Sequence, residues 1–299
     1  MQNILFIVGP TSSGKTATAL YLHQKIPSML FSADSRQVYK EMDIGTGKDV
    51  PPDGTHIDGI SLINPDEEWS VSHFEKMVTP WIKHVWNSKK LPIIVGGTGL
   101  YLRSLLNPFS TIHVPQNPAL RQDLEQKPIS ELYEILAKHN VKKLNTMNAS
   151  DRNNPRRLIR AIEVAQSGHG VQRLPVLSFL PKIIGLHVSN ELLEKRISER
   201  VRARFKQGMV AETKLLIQKY RDWMLPAFSA TGYREVRMFL EKKITQHECM
   251  KLWVLHEIQY AKRQITWFKK MKMVEWYDVE NPSVYLDIEN NVKNWYDIL

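Results

Sequence analysis

The sequence predicts an α/β fold: a parallel sheet with helices on both faces, interrupted by a helical insertion. Four short apolar runs have the length and composition of buried strands. These runs are Ile4–Val8, Met29–Ala33, Pro92–Val95 and Ile183–Val188. Helical patterns such as Thr16–Lys25 and Ser72–Trp86 lie between them. Strands that alternate with helices form parallel sheets, because right-handed crossovers place the helices on the two faces.

The pattern changes after about residue 107, where Pro108, Pro115 and Pro118 mark a loop. Helical patterns follow without a strand between them. They cover Ala119–Leu124, Ile129–Lys138 and Arg156–Gln166. We therefore expect a discontinuous α/β core, residues 1–112 and 178–299, and a helical insertion lobe, residues 113–177. From Leu192 onward the core is predicted to be mostly helical, ending in an aromatic and basic stretch.

Composition limits the class of protein. Hydrophobic residues make up 42% of 299 residues, which excludes a wholly disordered chain. The formal net charge of +10 favours a partner that is a nucleic acid or another anion. The single cysteine, Cys249, excludes an intrachain disulfide and a cysteine-rich zinc site. No signal peptide and no apolar run of ~20 residues is present, so we expect a cytoplasmic protein without a membrane span.

Residues 9–16, GPTSSGKT, match the P-loop pattern in full, between a predicted strand and a predicted helix. Backbone N–H groups of such a loop surround phosphate oxygens at a helix N-terminus. Lys15 supplies a positive charge, and the Thr16 hydroxyl is placed to bind Mg²⁺. The predicted phosphate-binding residues are Gly9, Thr11, Ser12, Ser13, Gly14, Lys15 and Thr16. The alternative is a glycine-rich turn that binds no ligand.

Two further motifs stand at the ends of predicted strands, the edge at which open α/β sheets bind ligands. Asp34 follows the second strand and is suited to hold Mg²⁺ through water or to accept a proton. The alternative for Asp34 is a helix N-cap. Residues 96–101, GGTGLY, follow the third strand and place the Thr98 hydroxyl near the same phosphates. The alternative for this motif is a simple left-handed turn.

These three motifs, with four later ones, resemble the successive signatures of tRNA dimethylallyltransferases, the IPP transferase family. The matching segments are GPTSSGKT (9–16), SADSRQVYKEMDIGTGK (32–48), VGGTGLYLRSLL (95–106), NPRRLIRAIEV (154–164), GLHVSNELLEKRISERV (185–201), TGYRE (231–235) and QYAKRQITWFKK (259–270). They occur in the family's order and cover nearly the whole chain. The DSRQVY and KRQITWF segments are far more diagnostic than the P-loop.

The resemblance implies a reaction and a set of catalytic residues. The family transfers a dimethylallyl group from dimethylallyl diphosphate to N6 of the adenosine 3′-adjacent to the tRNA anticodon. Pyrophosphate is released and Mg²⁺ assists. The P-loop would bind the donor diphosphate, with Lys15 as part of the catalytic group. Asp34 matches the family's general base, Thr98 a threonine that contacts the leaving diphosphate, and Arg200 an arginine that holds it.

The resemblance also implies a tRNA-binding surface and a monomer. The implied tRNA-binding residues are Asp34, Ser35, Arg36, Gln37, Thr98, Arg121, Arg156, Arg157, Arg160, Gly232, Tyr233, Arg234, Lys262 and Arg263. Judged without the resemblance, the arginines at 156–160 could equally form a solvated helix face. By the same reasoning, Trp267 and Phe268 could be ordinary core residues.

Three departures from the family pattern stand out. Gly47 replaces a usual alanine, a change that we expect to be tolerated because only a methyl group is removed. Glu257-Ile258 replaces a common Thr-Arg pair, so one expected cation is absent. The insertion lobe also looks short.

Three other functions remain as alternatives: a small-molecule kinase that uses ATP, a prenyltransferase of free adenine nucleotides, and a non-catalytic RNA-binding module. The basic insertion favours tRNA over a mononucleotide. The P-loop together with Asp34 favours an enzyme over a binding module.

Overall fold

The computed structural model describes residues 2–48, 51, 53–108, 111–112, 114–167 and 177–297. The chain divides into two compact units, Met1–Leu106 with Leu177–Leu299, and Asn107–Val176. The larger unit contains a six-stranded parallel sheet with helices on both faces, which confirms the predicted fold class. Among the described residues, no helix is both long enough and apolar enough to cross a bilayer.

All six strands of the sheet are parallel to their neighbours. They are β1 (Asn3–Val8), β2 (Ser28–Ser32), β3 (Ile57–Asp58), β4 (Leu91–Val95), β5 (Leu180–His187) and β6 (Val274–Asp278), in the order β3-β2-β4-β1-β5-β6. The four predicted strands are therefore present, with ends that differ by a few residues. The sequence prediction missed β3, which has only two residues, and β6. As an edge strand β6 exposes three of its five residues and has no apolar run.

Helices of the larger unit cover both faces of this sheet. Before the smaller unit they are α1 (Lys15–His23), α2 (Val71–Asn87) and α3 (Gly99–Leu106). After helices α4–α7 of the smaller unit, which lie within residues 118–166, they are α8 (Asn190–Arg204), α9 (Val210–Lys219), α10 (Tyr233–Leu240), α11 (Gln246–Phe268) and α12 (Val284–Asp297). Phe74, Leu102 and Phe268 belong to the core on one face of the sheet. Leu22 and Ile288 belong to the core on the other face. Phe268 is thus an ordinary core residue, which was one of the two interpretations that the sequence left open for it.

A further apolar core of the larger unit lies among α8 to α11 and the segment after β2. Trp253 and Cys249 of α11 are fully buried in it. Burial raises the pKa of the Cys249 thiol to about 12, and the nearby Glu235 carboxylate adds to the effect. The thiol is therefore a packed core group and not an activated nucleophile.

The described part of the smaller unit contains helices α4 (Pro118–Glu125), α5 (Ile129–Thr146), α6 (Ala149–Arg152) and α7 (Pro155–Gln166). Its core includes Leu132, Leu158 and Ile162. Both α4 and α7 begin with Asn-Pro, in which asparagine caps the helix and proline occupies the first turn. Residues 168–176, the last part of the predicted lobe, lie outside the described range.

Candidate active site

The three sequence motifs at strand ends meet at one edge of the sheet. The Ala33 N–H, at the end of β2, donates to the Val95 carbonyl of β4 at 2.7 Å. The Gly96 N–H in turn donates to the Ile7 carbonyl of β1 at 3.1 Å. Parallel strands present their carboxyl ends on the same side, so the loops that follow β1, β2 and β4 are neighbours.

The P-loop ends at Gly14, which has φ +94° and precedes α1 without a side-chain cap. Glycine adopts this left-handed conformation at no steric cost. The uncapped helix N-terminus leaves backbone N–H groups for a ligand. The side-chain hydroxyls of Ser12 and Ser13 are also buried, and neither has a hydrogen-bond partner among the described residues. Phosphate oxygens are the acceptors that such a set of donors lacks.

The Lys15 ammonium group lies within this loop, donating to the Pro10 carbonyl at 2.6 Å. Burial and, to a smaller extent, the positive charge of Arg200 lower the pKa of Lys15 to about 8. The carboxylates of Asp34 and Glu257 oppose the shift. A buried cation without sufficient local negative charge is a ready partner for an anionic ligand.

Asp34 caps a turn, whereas the alternative interpretation expected it to cap a helix. Its Oδ1 accepts the N–H of Arg36 at 2.8 Å and, at 3.4 Å, that of Gln37, so it caps the turn that follows β2. The same side chain lines the cavity at the sheet edge. The cap fixes the carboxylate at a position where a ligand's proton can be accepted.

Thr98 fixes the neighbouring residue of the same turn, because its Oγ1 accepts the Ser35 N–H at 3.2 Å. The side chain of Gln37 is engaged with its own loop. It accepts from Ser32 Oγ at 2.7 Å and donates to the Gly47 carbonyl at 3.0 Å.

The cavity has a volume of about 840 Å³, and the described residues that line it all belong to the larger unit. Its basic side chains are Lys15, Arg36, Lys48, Arg196, Arg200, Arg204 and Arg263. Its acidic side chains are Asp34 and Glu257. Among the described residues of the lining, seven cations face two carboxylates, which makes the cavity attractive to an anionic ligand.

Most of the residues that the sequence assigned to the diphosphate, and several assigned to RNA, line this cavity. They are Thr11, Ser12, Ser13, Gly14, Lys15, Thr16, Asp34, Arg36, Gln37, Arg200 and Arg263. Arg200 Nη1 donates to Thr11 Oγ1 at 2.9 Å, which brings the predicted arginine onto the P-loop. Gly9, Ser35 and Thr98 lie at the same strand ends but not in the lining. Arg234 and Lys262 are exposed side chains of the larger unit.

Tyr233 requires a correction. Its side chain is fully buried, and its hydroxyl donates to Glu212 Oε1 at 2.7 Å. The Glu212 carboxylate also accepts backbone N–H groups from residues 43–45. The phenol therefore fixes a loop of the cavity wall, and it presents no exposed surface to RNA. Gly232, the N-cap of α10, is buried as well.

The arginines predicted to bind tRNA from the smaller unit differ in availability. Arg121 Nη2 lies 2.9 Å from Oε2 of Glu163, a carboxylate that is almost fully buried, and Arg160 contacts the same oxygen. Arg157 forms an ion pair with Asp151. Arg156 is exposed and has no side-chain partner in the part of the chain that the structure describes. Of these four arginines, Arg156 alone presents a guanidinium group that is uncommitted among the described residues.

The cavity residues that the sequence did not indicate include three buried polar side chains, Gln264, Arg204 and Glu257. Gln264 is buried, accepting the Thr11 N–H at 2.8 Å and donating to the Gly97 carbonyl at 3.1 Å. Arg204 and Glu257 form a buried ion pair in the cavity wall. The cation-rich sequence around Arg204 and Gln264 carried no signal that distinguished these residues from their neighbours, whereas Glu257 was noted only as a departure.

The donor set of the cavity suits magnesium only together with a ligand. Among the described residues, no three His, Cys, Asp or Glu side chains are grouped as a metal site requires. The Thr16 hydroxyl and the Asp34 carboxylate both line the cavity. Mg²⁺ keeps several waters and is commonly held by one or two protein oxygens plus substrate phosphates. These two residues fit an ion that arrives with a diphosphate.

Family models and individual relatives of known sequence place the chain in the same family. The model of the IPP transferase family matches residues 37–271, and that of isopentenyl transferases matches residues 2–65. The chain is 37% identical over 282 residues to tRNA dimethylallyltransferase 1 of Syntrophus aciditrophicus (strain SB), covering 91% of each chain.

Solved structures agree with the sequence comparison. The full-length tRNA isopentenylpyrophosphate transferase of Bacillus halodurans superposes with a TM-score of 0.73 at 30% identity, covering 98% of this chain and 96% of that one. A eukaryotic dimethylallyltransferase acting on tRNA has a TM-score of 0.80 over 93% of this chain and 74% of its own. At 24% identity the second likeness shows the fold alone. On the family match and the identity to its relatives, the chain belongs to the IPP transferase family, the tRNA dimethylallyltransferases.

Proposed function

We propose that this enzyme transfers the dimethylallyl group of dimethylallyl diphosphate to N6 of the adenosine 3′-adjacent to the anticodon in tRNA. The observation that carries the proposal is the meeting of a P-loop and a carboxylate in one cation-rich cavity. Arg200 contacts the P-loop through Thr11, and Lys15 and Asp34 line the same cavity, which supports assigning the diphosphate to the two cations and removal of the proton to Asp34.

The donor diphosphate is assigned to the P-loop. The uncapped N-terminus of α1 and the buried hydroxyls of Ser12 and Ser13 supply its hydrogen bonds. Lys15 and Arg200 supply positive charge, and Arg200 is already fixed to the loop through Thr11. Charge that develops on the leaving group is thus met by preorganised donors, the largest contribution in reactions of this kind.

In the transfer step one bond forms and one bond breaks. The lone pair of the adenine N6 amine forms a bond to C1 of the dimethylallyl group, while the C1–O bond breaks and its electrons remain on pyrophosphate. One N6 proton passes to the Asp34 carboxylate and then to solvent. An exocyclic amine is a weak nucleophile, so a fixed base and a stabilised leaving group are both required. Thr98 contributes by fixing the N–H of Ser35, next to the base.

Mg²⁺ is proposed to bind with the donor, held by the Thr16 hydroxyl and, through a water molecule, by Asp34. When bound it neutralises charge on the diphosphate. We expect activity to be lost in excess chelator and restored by added Mg²⁺. Full activity in chelator would remove the metal from the proposal.

The acceptor is proposed to be a stem-loop and not a mononucleotide. The cations Arg234, Lys262 and Arg156 are exposed, and none of them lines the donor cavity. A mononucleotide that fills the cavity leaves such groups unused, whereas RNA phosphates can reach them. The target base must also leave its stack to enter the cavity, which costs least in a loop. A cytoplasmic monomer remains part of the proposal.

The test compares acceptors under one set of conditions with labelled dimethylallyl diphosphate. We expect an anticodon stem-loop with adenosine 3′ of the anticodon to be prenylated, and AMP not to be modified detectably. Replacing that adenosine by guanosine should abolish transfer. Efficient prenylation of AMP, without a gain from the stem-loop, would establish a free-nucleotide prenyltransferase instead. Transfer of phosphate from ATP would establish a kinase.

A further inference from the structure

A buried ion pair in the cavity wall joins α8 to α11. Arg204 Nη1 lies 3.5 Å from Glu257 Oε1, and both side chains are less than a tenth exposed. The same Glu257 oxygen accepts the hydroxyl of Thr231 at 2.7 Å. Arg204 Nη1 also donates to the Gly45 carbonyl at 3.0 Å. The pair is therefore fixed at both ends, on one side by Thr231 and on the other by the loop at residues 45–47.

Gly47 shows how closely Arg204 approaches the arginine assigned to the diphosphate. An ideal Cβ on Gly47 would lie 1.9 Å from Arg204 Nη2 and 2.2 Å from Arg200 Nη2. Both guanidinium groups thus occupy the space that a side chain would take, and they are immediate neighbours. Gly47 itself has φ +65°. A shift of its backbone would break the hydrogen bond that its carbonyl accepts from Gln37.

Two adjacent guanidinium groups repel each other, and the repulsion grows as water is excluded. Arg200 is held on the P-loop by one hydrogen bond to Thr11, whereas Arg204 is held by Glu257 and Gly45. Among the described residues of the cavity lining, the carboxylates are Asp34, which belongs to the proposed chemistry, and Glu257. Of these two, Glu257 is the one that forms an ion pair with Arg204, so we assign to it the negative charge that holds the two arginines in place.

We propose that Glu257 is a positioning residue of the diphosphate site, which holds Arg200 on the P-loop by fixing and neutralising Arg204. The inference rests on the proposed function, because that function assigns the diphosphate to Arg200. It gives a role to Glu257, and a reason for the small residue at Gly47, both of which the sequence showed only as departures from the family pattern.

Replacing one residue of the pair or the other should change the affinity for pyrophosphate in opposite directions. Glu257→Gln removes a negative charge from beside the two guanidinium groups, so the cavity should bind the pyrophosphate anion more tightly. Arg200 is then no longer held on the P-loop in the position for transfer, so the transfer rate should fall. Arg204→Met leaves a buried carboxylate beside Arg200, so pyrophosphate should bind more weakly and transfer should slow as well. The double variant E257Q/R204M has neither unpaired charge and should return towards the wild type, because breaking a buried pair costs more than removing it.

The experiment measures pyrophosphate affinity by titration calorimetry and single-turnover transfer to a stem-loop, on the full chain. We expect the dissociation constant to fall several-fold in E257Q and to rise about tenfold in R204M. In the double variant it should lie within about threefold of wild type. Transfer should fall about tenfold in each single variant and recover in the double. A purely structural role would shift both affinities in one direction, in step with the melting temperature.

The matched control is the exposed pair Arg237–Glu241, for which E241Q and R237M should leave both readouts unchanged. Shifts of equal sign in E257Q and R204M, or a double variant no better than the worse single one, would overturn the inference. Pyrophosphate binding does not depend on the acceptor. If the wild type binds pyrophosphate but prenylates no stem-loop, the proposed function fails while the role of Glu257 stays measurable.

Discussion

The side-chain carbonyl of Gln264 accepts a hydrogen bond from the backbone N–H of Thr11 at 2.8 Å. This contact ties the last third of α11 to the P-loop. Through its Nε2, the same side chain also reaches the Gly97 carbonyl, in the turn after β4. One buried amide thus sets the distance between two phosphate-side loops, and α11 carries it next to the cations Lys262 and Arg263.

Gln264→Leu should weaken donor binding. Leucine matches the size of glutamine but leaves the Thr11 N–H and the Gly97 carbonyl without partners, at a cost of roughly 1–3 kcal/mol for each buried group. We expect KM for dimethylallyl diphosphate to rise at least about tenfold, by the same principle. Gln259→Leu is the control, because Gln259 is exposed on the same helix and does not line the cavity. Similar kinetics for the two variants would show that the amide does not position the loops.

Asp34→Asn separates the two roles of the carboxylate. Asparagine Oδ1 can still accept the N–H of Arg36, so the turn should persist, whereas a proton can no longer be taken up. We expect the single-turnover rate to fall by ~10²–10⁴ with tRNA affinity unchanged within a few-fold. Asp34→Ala should lose the cap as well and lower the melting temperature. If Asp34→Asn abolishes tRNA binding and leaves the rate on bound tRNA intact, Asp34 is a binding residue and not the base.

The strand-end motifs were predictable because each follows a buried strand, and parallel strands bring their carboxyl ends to one edge. The P-loop, Asp34 and the turn at Thr98 are all of this kind. Gln264 was not, since it lies 253 positions from Thr11 and directly follows two exposed cations, Lys262 and Arg263, in sequence. The burial of Tyr233 and the engagement of Arg121 by Glu163 likewise depend on tertiary packing. The local sequence around these residues does not indicate which face of the helix is buried against the core.

Gly47→Ala should impair this enzyme, contrary to the expectation from sequence that the methyl group matters little. The added Cβ would meet the guanidinium groups of Arg204 and Arg200. Displacing them should lower kcat/KM for the donor by about tenfold or more, since a small misplacement of binding groups is costly in catalysis. The measurement is steady-state kinetics with the donor as the varied substrate.

Gly54→Ala provides the control for backbone strain. Gly54 has φ +72°, close to the +65° of Gly47, but nothing lies within 4 Å of its ideal Cβ. Both substitutions carry the penalty of a left-handed alanine, on the order of 1 kcal/mol. Equal losses in the two variants would attribute the effect to strain and not to the arginines.

Binding of pyrophosphate should weaken above pH 8. Burial lowers the pKa of Lys15 to about 8, so the free enzyme loses this positive charge as the pH rises through that value. Below it the ammonium form is present and affinity should be level. Above it, each pH unit should cost about tenfold in affinity until the ligand-bound pKa is reached. Calorimetry without added divalent cations measures the effect of the lysine alone.

Lys15→Arg is the matched variant, because arginine stays charged throughout this range. The ligand's own ionisation is the same for both proteins and cancels in the comparison. A basic limb of equal size in Lys15→Arg would assign the titration to another group.

The last prediction distinguishes cations that bind RNA from cations that hold the smaller unit together. Arg156 is exposed and uncommitted among the described residues, so Arg156→Ala should lower the slope of log Kd for tRNA against log salt concentration by about one. Arg157 is half-exposed and shared with Asp151, and its effect should be smaller.

Arg121 should behave in the opposite way, because it contacts the buried carboxylate of Glu163. Burial opposes ionisation of Glu163, yet hydrogen bonds from Arg121, Asn117 and Arg160 lower its pKa below 4.5. A lowered pKa means that the ionised, paired carboxylate stabilises the fold at neutral pH, and that this stability is lost as the pH falls. Arg121→Ala should therefore reduce the melting temperature at pH 7, and the difference from wild type should narrow below about pH 4.5. Its salt slope should stay near that of wild type, and a loss of slope without a loss of stability would return Arg121 to the RNA-binding surface.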